Sequence, residues 1–228
     1  MVREPELGDV REPVIHRIGG KAAGLARLQE LELPVPPYIV LAVGEELDDP
    51  SEVVRRLGEP LAVRSSAVGE DSRARSAAGQ YESLLGVRAD GLSRAVAHVR
   101  ASTDRARAYG GGDEIAVVIQ REVPSTKAGV AFSRDPVTGA DAVLVECAFG
   151  YGDRVVSGEV APDRYRVEDR RVRARASGDV RTLRDDEVLR VAALVGRAEE
   201  GFGHSVDVEF CFDERKLWLL QCRAITTA

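Results

Sequence analysis

The segment from Val206 to Arg223 places the strongest constraint on what this chain can fold into. Val206-Asp207-Val208-Glu209-Phe210 alternates apolar and acidic residues, the period of a strand with one buried face. Asp213-Glu214-Arg215-Lys216 follows as a polar turn, and Leu217 to Gln221 repeats the strand pattern. Strands joined by so short a turn pair antiparallel, which returns Gln221 and Arg223 toward Asp207 and Glu209. Two carboxylates, an amide oxygen and a guanidinium on one face suit Mg²⁺ and phosphate: hard oxygens for the metal, the arginine for phosphoryl charge. The plainer alternative is an amphipathic surface hairpin carrying a salt bridge.

The rest of the chain supplies the core that such a hairpin needs. From Gly19 the run G-G-K-A-A-G-L-A-R-L enters a helix that stops before Pro34, and Ile39-Val40-Leu41 is a buried strand. Residues 44–59 are acidic and partly helical, Leu61-Ala62-Val63 is a short strand, and Tyr81, Ser83 and Leu85 alternate as another. Residues 91–109 read as a helix ended by the glycines at 110–112, which set a boundary between an N-terminal lobe, 1–112, and a C-terminal lobe, 113–228. The second lobe is strand-rich at 115–120, 129–132, 142–146, 164–167, 206–212 and 217–221, with an amphipathic helix at 185–199. The expected class is α+β, with a mainly antiparallel second lobe.

Composition narrows the functions open to such a fold. The chain has 228 residues, 44% hydrophobic and 31% charged, ordinary for a globular protein and long enough for one large domain or two small lobes. The formal net charge of −6 offers no global field for a polyanion, so nucleic-acid binding is not expected. Cys147, Cys211 and Cys222 are odd in number and lack ligand spacing, which argues against a disulfide framework or a zinc site and for a reducing, cytoplasmic compartment. No stretch approaches the roughly 20 apolar residues of a membrane span, and no targeting segment is evident.

Several further residues can carry chemistry. Lys21 follows two glycines at a helix start, where backbone N–H groups and the dipole favour an anion, although a solvated lysine after a turn has the same sequence. Arg64 leaves a hydrophobic strand and precedes Ser65 and Ser66, so a guanidinium and two hydroxyls can converge on a phosphate; a strand-end arginine paired with Glu70 or Asp71 is the alternative. Ala77-Ala78-Gly79 is a small-residue stretch that lets backbone approach phosphate oxygens. Ile115 to Val123 is a core strand running into Gln120-Arg121-Glu122-Val123, whose backbone can meet an adenine edge. Asp135-Pro136-Val137-Thr138-Gly139 is a turn, and His16, His98 and His204 have neither ligand spacing nor a neighbouring nucleophile.

Taken in order, these segments resemble the amino-terminal ATP-binding domain of the phosphoenolpyruvate synthase, pyruvate phosphate dikinase and rifampin phosphotransferase family. The resemblance spans most of the chain: G-G-K-A-A-G-L at 19–25, L-P-V-P-P at 33–37, A-V-R-S-S-A at 62–67, A-G-Q-Y-E-S at 78–83, V-V-I-Q-R-E-V at 117–123, A-G-V-A-F-S-R-D-P-V-T-G at 128–139, G-Y-G-D-R-V-V-S-G at 150–158, P-D-R-Y at 162–165 and W-L-L-Q-C-R-A-I-T at 218–226. It implies an ATP-grasp-like fold of two lobes with mixed or antiparallel sheets and the nucleotide cleft between them. It also implies ATP and Mg²⁺ as cofactors. Lys21, Arg64 and Arg223 match phosphate-contacting or catalytic positions, Glu209 and Gln221 match metal and triphosphate positions, and Asp207 is a further member of that site. Glu146 matches an acid near the nucleotide, Gln120, Glu122 and Val123 the adenine-side linker, and Gly79 the phosphate-covering loop.

By the same resemblance, the chain is expected to be a phosphotransferase subunit that passes the β-phosphoryl group of ATP to a histidine on a separate partner domain, giving AMP and phosphate. The sequence contains no glycine-rich Thr-x-His segment, so the acceptor is expected on another protein. Direct ADP-forming phosphorylation or ligation of a small-molecule acceptor is one alternative; a non-catalytic nucleotide-binding scaffold or sensor is another. The stretches 43–61 and 87–115 look shorter than the family's insertions, and Asp135 stands where many members have asparagine.

Overall fold

The computed structural model describes residues 12–67, 83–108, 115–150 and 160–225. Gly79 with its neighbours, the glycines at 110–112 and most of the 150–158 segment lie outside the described residues. The chain divides into two compact units, residues 1–26 with 36–122, and residues 27–35 with 123–228.

The first unit holds a four-stranded sheet in the order β1-β4-β2-β3, built from β1 (Tyr38–Leu41), β2 (Leu61–Ala67), β3 (Ser83–Val87) and β4 (Ile115–Arg121). Every pairing in it is antiparallel. Alternation places Ile39, Leu41, Leu61, Val63, Val117 and Ile119 on one face, where they form a core with α2 (Pro50–Leu57) and α3 (Leu92–Ala108). Full burial of such a side chain contributes roughly 1.5–3 kcal/mol. Asp49 caps α2, its carboxylate accepting from the N–H groups of Ser51 and Glu52 at 2.9 and 3.1 Å.

The second unit holds a six-stranded antiparallel sheet in the order β10-β9-β5-β6-β7-β8. Its strands are β5 (Lys127–Phe132), β6 (Val143–Phe149), β7 (Asp163–Glu168), β8 (Arg171–Arg175), β9 (Val206–Phe212) and β10 (Leu217–Ala224). One face buries Val206, Val208, Phe210, Leu219, Val145 and Tyr165 against Val188, Val191, Val195 and Ala198 of α4 (Asp185–Phe202). Leu28 and Leu33 join this core, and Leu219 N–H donates to Pro34 O at 2.8 Å, so residues 27–35 pack with the second unit.

Two features differ from the sequence expectation. The division falls at Glu122/Val123 instead of 112/113, because β4 is a central strand held by β1 on one side and β2 on the other. β8, with the sequence Arg171-Val-Arg-Ala-Arg175, was not expected: it is an exposed edge strand, and its arginines hide the apolar signal by which strands are recognised.

Candidate functional site

The site residues fall into two sets, one on each unit. In the first unit, the Gly-Gly-Lys segment is locked to the end of β2. α1 (Glu12–Glu30) breaks at Gly19, which has φ 73° and ψ 171°. A Cβ there would lie 2.1 Å from the carbonyl oxygen of Ser66, so only glycine permits the approach. The helix restarts after the break with Lys21 in its first turn, and a glycine at that start has no side chain to cap it. Ser66 supplies the missing cap: its buried Oγ accepts from Ala22 N–H at 3.0 Å. The expectation that both serines serve a phosphate needs correction at Ser65; Ser66, an acceptor in the cap, keeps its own O–H to donate. Ser65 is wholly buried on the opposite, apolar face with Val63 and Ala67, pointing away from Arg64.

Arg64 shares its face with Ser66 on β2 and with Val118 and Gln120 of β4, its direct neighbour being Val118. Gln120 does not offer its backbone to a ligand, as the sequence suggested. It sits between Tyr38 and Ala62 in the interior of the sheet, and what it presents is a buried side chain whose Nε2 has no hydrogen-bond partner among the described residues. The next two N–H groups of the linker are taken too, Arg121 donating to Pro37 O at 2.9 Å and Glu122 to Pro60 O at 3.0 Å. The Glu122 carboxylate accepts from Gly86 N–H of β3. Of the linker, the N–H of Val123 is the backbone donor that those bonds leave for an adenine edge.

In the second unit, the closing hairpin gathers Asp207, Glu209, Gln221 and Arg223 by a device that simple alternation does not show. Leu217 pairs with Phe212 and Leu219 with Phe210, a register that would set Gln221 against Val208, on the core side. An irregularity between Leu219 and Gln221 shifts the register by one residue. Gln221 then stands opposite Glu209, and Arg223 opposite Asp207, while Cys222 takes the core position against Val208. Arg223 donates from Nε and Nη2 to Oδ2 of Asp207 at 2.8 and 2.7 Å. The arginine is thereby oriented and ion-paired within the protein, while its side chain stays about half exposed.

The same face carries an apolar step that the sequence reading missed. Val123, Ala128 and Cys211 form a small cluster with Trp218 and Leu220, one residue pair along β9 from Glu209. Its signal was present in the strand period, since Cys211 continues the series Asp207, Glu209. Across the sheet, the row through Gln221 and Glu209 continues to Val130, Glu146 and Arg164. Glu146 is thus two strands, about 10 Å, from Glu209. Its Oε1 lies 2.9 Å from Arg164 Nε.

Asp135 anchors the D-P-V-T-G turn. Its carboxylate accepts from the N–H groups of Thr138 and Val137 and from Arg166 Nη1 at 2.9 Å. Hydrogen bonds from Thr138, then Val137 and Arg166, hold its pKa down to about 2. An asparagine could keep the backbone bonds but not the ion pair. Among the described residues, no cluster of three or more His, Cys, Asp or Glu side chains could cage a metal. The Glu209 carboxylate with the Gln221 amide oxygen would suit a Mg²⁺ that keeps waters and phosphate oxygens as its other ligands.

The chain matches the family described as pyruvate phosphate dikinase, AMP/ATP-binding domain, over residues 38–178 and 171–228. It belongs to that family. Over 93% of its length it is 31% identical to the prodigiosin synthesizing transferase of Serratia marcescens, covering 32% of that protein. It is 31% identical to a probable phosphoenolpyruvate synthase of Methanothermobacter thermautotrophicus over 100% of this chain and 37% of the relative. It is 30% identical to the rifampicin phosphotransferase of Bacillus subtilis over 80% of this chain and 26% of the relative. The chain thus spans about a third of the length of the curated relatives it matches.

Solved structures agree on the fold. An N5-carboxyaminoimidazole ribonucleotide synthetase in its ADP complex superposes with TM-score 0.57 at 10% identity, over 92% of this chain and 45% of that one. D-alanine–D-alanine ligase of Bacillus anthracis with ATP gives 0.51 at 12% identity, over 90% and 52%. The fold is α+β and ATP-grasp-like, as expected from the sequence. No helix among the described residues is long and apolar enough to cross a membrane.

Proposed function

We propose that this ATP-binding domain is the nucleotide-binding part of a phosphotransferase that uses ATP with Mg²⁺ and passes the β-phosphoryl group to a histidine on a separate domain or protein. The observation that carries the reading is the register shift beside Leu220, which turns Gln221 and Arg223 onto the face of Glu209 and Asp207. A bulge that re-aims two polar side chains, beside an apolar step, is what a site requires and a plain surface hairpin does not.

Adenine would rest against the partly exposed Leu220 with its edge toward the Val123 backbone, Ala128 and Cys211 backing that surface from beneath. Glu209 and Gln221 would hold the metal, which would neutralise phosphate charge. In the second unit Arg223, steered by Asp207, serves the phosphate oxygens. As the imidazole nitrogen bonds to the β-phosphorus, the bond to the AMP oxygen breaks; water takes the terminal phosphoryl group, releasing inorganic phosphate. The names of the phosphoenolpyruvate synthase and rifampicin phosphotransferase relatives support a transfer reaction. The compartment that suits this chemistry is the cytoplasm.

The test is incubation with β-labelled ATP and a histidine-bearing partner domain. Label on the histidine together with AMP is the expected result. ADP as the only nucleotide product, with transfer from the γ position, would replace this reading by a direct kinase or ligase.

A further inference from the structure

The opposite edge of the same sheet face in the second unit holds a second concentration of charge. β7 and β8 set Arg164 against Arg175 and Arg166 against Arg173. Like charges directly opposite on a sheet repel, so the pairing is unfavourable unless anions answer it. Two of the four are answered within the protein, Arg164 by Glu146 at 2.9 Å and Arg166 by Asp135 at 2.9 Å, with Glu168 also on Arg166. Arg173 and Arg175 make no ion pair or hydrogen bond with any described residue.

All four guanidiniums line one concavity of about 510 Å³. That is within the range of small-molecule sites, roughly 300–1,000 Å³. Its wall is apolar at Phe132 and Leu144, and its lip is the 136–138 turn, where Val137 is 90% exposed. The lip is fixed in place, because Asp135 accepts from Val137 and Thr138 while holding Arg166. Edge-strand charge discourages strand addition, which accounts for arginine on β8. It does not account for an apolar wall and a shaped lip facing those arginines.

We propose that this concavity binds a small organic anion, a phosphate ester or carboxylate with an apolar body. The acid group engages Arg173 and Arg175, and the body covers Phe132 and Leu144. Phe132 is the direct cross-strand neighbour of Asp207, so the pocket adjoins the Asp207–Arg223 pair yet shares no residue with it. The proposal stands without the nucleotide reading, since it uses only groups that reading leaves aside apart from Glu146.

The experiment titrates the whole chain with 1-naphthyl phosphate, 1-naphthoate, inorganic phosphate and 1-naphthol by calorimetry, with and without saturating Mg²⁺-ATP. The two aromatic anions bind at one site per chain, and inorganic phosphate and 1-naphthol bind about tenfold more weakly or not at all, since each lacks half of the recognition. The double variant Arg173→Gln/Arg175→Gln weakens both aromatic anions at least about tenfold, does not lower the melting temperature and leaves ATP affinity unchanged. Failure of both anions to bind at millimolar concentration, or equal binding to the double variant, overturns the proposal. Full displacement by Mg²⁺-ATP, or loss of binding in Glu209→Gln, places the probe at the nucleotide site and overturns it as well.

Discussion

Replacing Gly19 with alanine tests how the Gly-Gly-Lys segment is held. The backbone at Gly19, φ 73° and ψ 171°, lies in a region that is open essentially to glycine alone. Forcing alanine into it costs about 1–3 kcal/mol. The new Cβ would sit 2.1 Å from Ser66 O and 2.6 Å from Ser66 Oγ, so the turn or the end of β2 must also move. That movement breaks the 3.0 Å bond from Ala22 N–H to Ser66 Oγ, a further loss of about 1 kcal/mol. Together the first unit should lose about 3 kcal/mol, on the order of a hundredfold in its folding equilibrium. Urea unfolding monitored by hydrogen exchange at β2 and β4 reads the change, and ATP affinity falls with it because Lys21 moves with the turn. Ser66→Ala, which removes only the cap, costs about 1 kcal/mol. If Gly19→Ala unfolded within 0.5 kcal/mol of the parent, roughly the scatter of neutral surface changes, and bound ATP equally well, the docking argument would be wrong.

Deleting Leu220, the extra residue of the bulge, restores regular alternation with Gln221 still opposite Glu209 and Arg223 opposite Asp207, so a folded deletion variant is expected to keep the Mg²⁺ dependence of its ATP binding; loss of that dependence would show that this pairing is not what the metal needs. Lys127→Ala removes from the nearly buried Glu187 the ammonium that Lys127 Nζ places 2.8 Å from both its oxygens, leaving it the Arg184 N–H at 2.8 Å, and should cost about 2 kcal/mol by denaturant titration. Acid should weaken the second unit through Asp163: burial, the largest influence, pushes its pKa up, but hydrogen bonds from Ser177 and Thr182 outweigh it and hold it down to about 2. A depressed carboxylate stabilises above its ordinary pKa of 3.8 and loses that contribution as pH falls from about 4 to 2, so Asp163→Asn should flatten the acid limb of a stability profile measured by circular dichroism.

The parts of this protein legible in its sequence are those governed by local period. The hairpin of β9 and β10, the α4 helix and the strand carrying Arg64 follow from alternation, apolar spacing and turn chemistry, and the structure holds them near the expected positions. What stayed hidden depends on contacts distant in sequence. Ser66 became a helix cap only because β2 meets a helix start 44 residues earlier. Gln120 lost its backbone to two neighbouring strands, a consequence of sheet order that no local pattern encodes. Gln221 reached Glu209 through a bulge, and counting back from the turn would have buried it against Val208. The boundary followed the same rule: the glycines at 110–112 look like a break, but β4 pairs backward into the first sheet and carries the division to Glu122.

The most direct test of the central claim is calorimetric titration of ATP, with Mg²⁺ and with EDTA, into the parent chain and Glu209→Gln. The account predicts that the parent binds ATP more tightly with Mg²⁺ than without, and that Glu209→Gln, still folded, loses most of that difference while keeping its metal-free affinity. Identical Mg²⁺ dependence in the two proteins would contradict the assignment of Glu209 and Gln221 as the metal end of an ATP site.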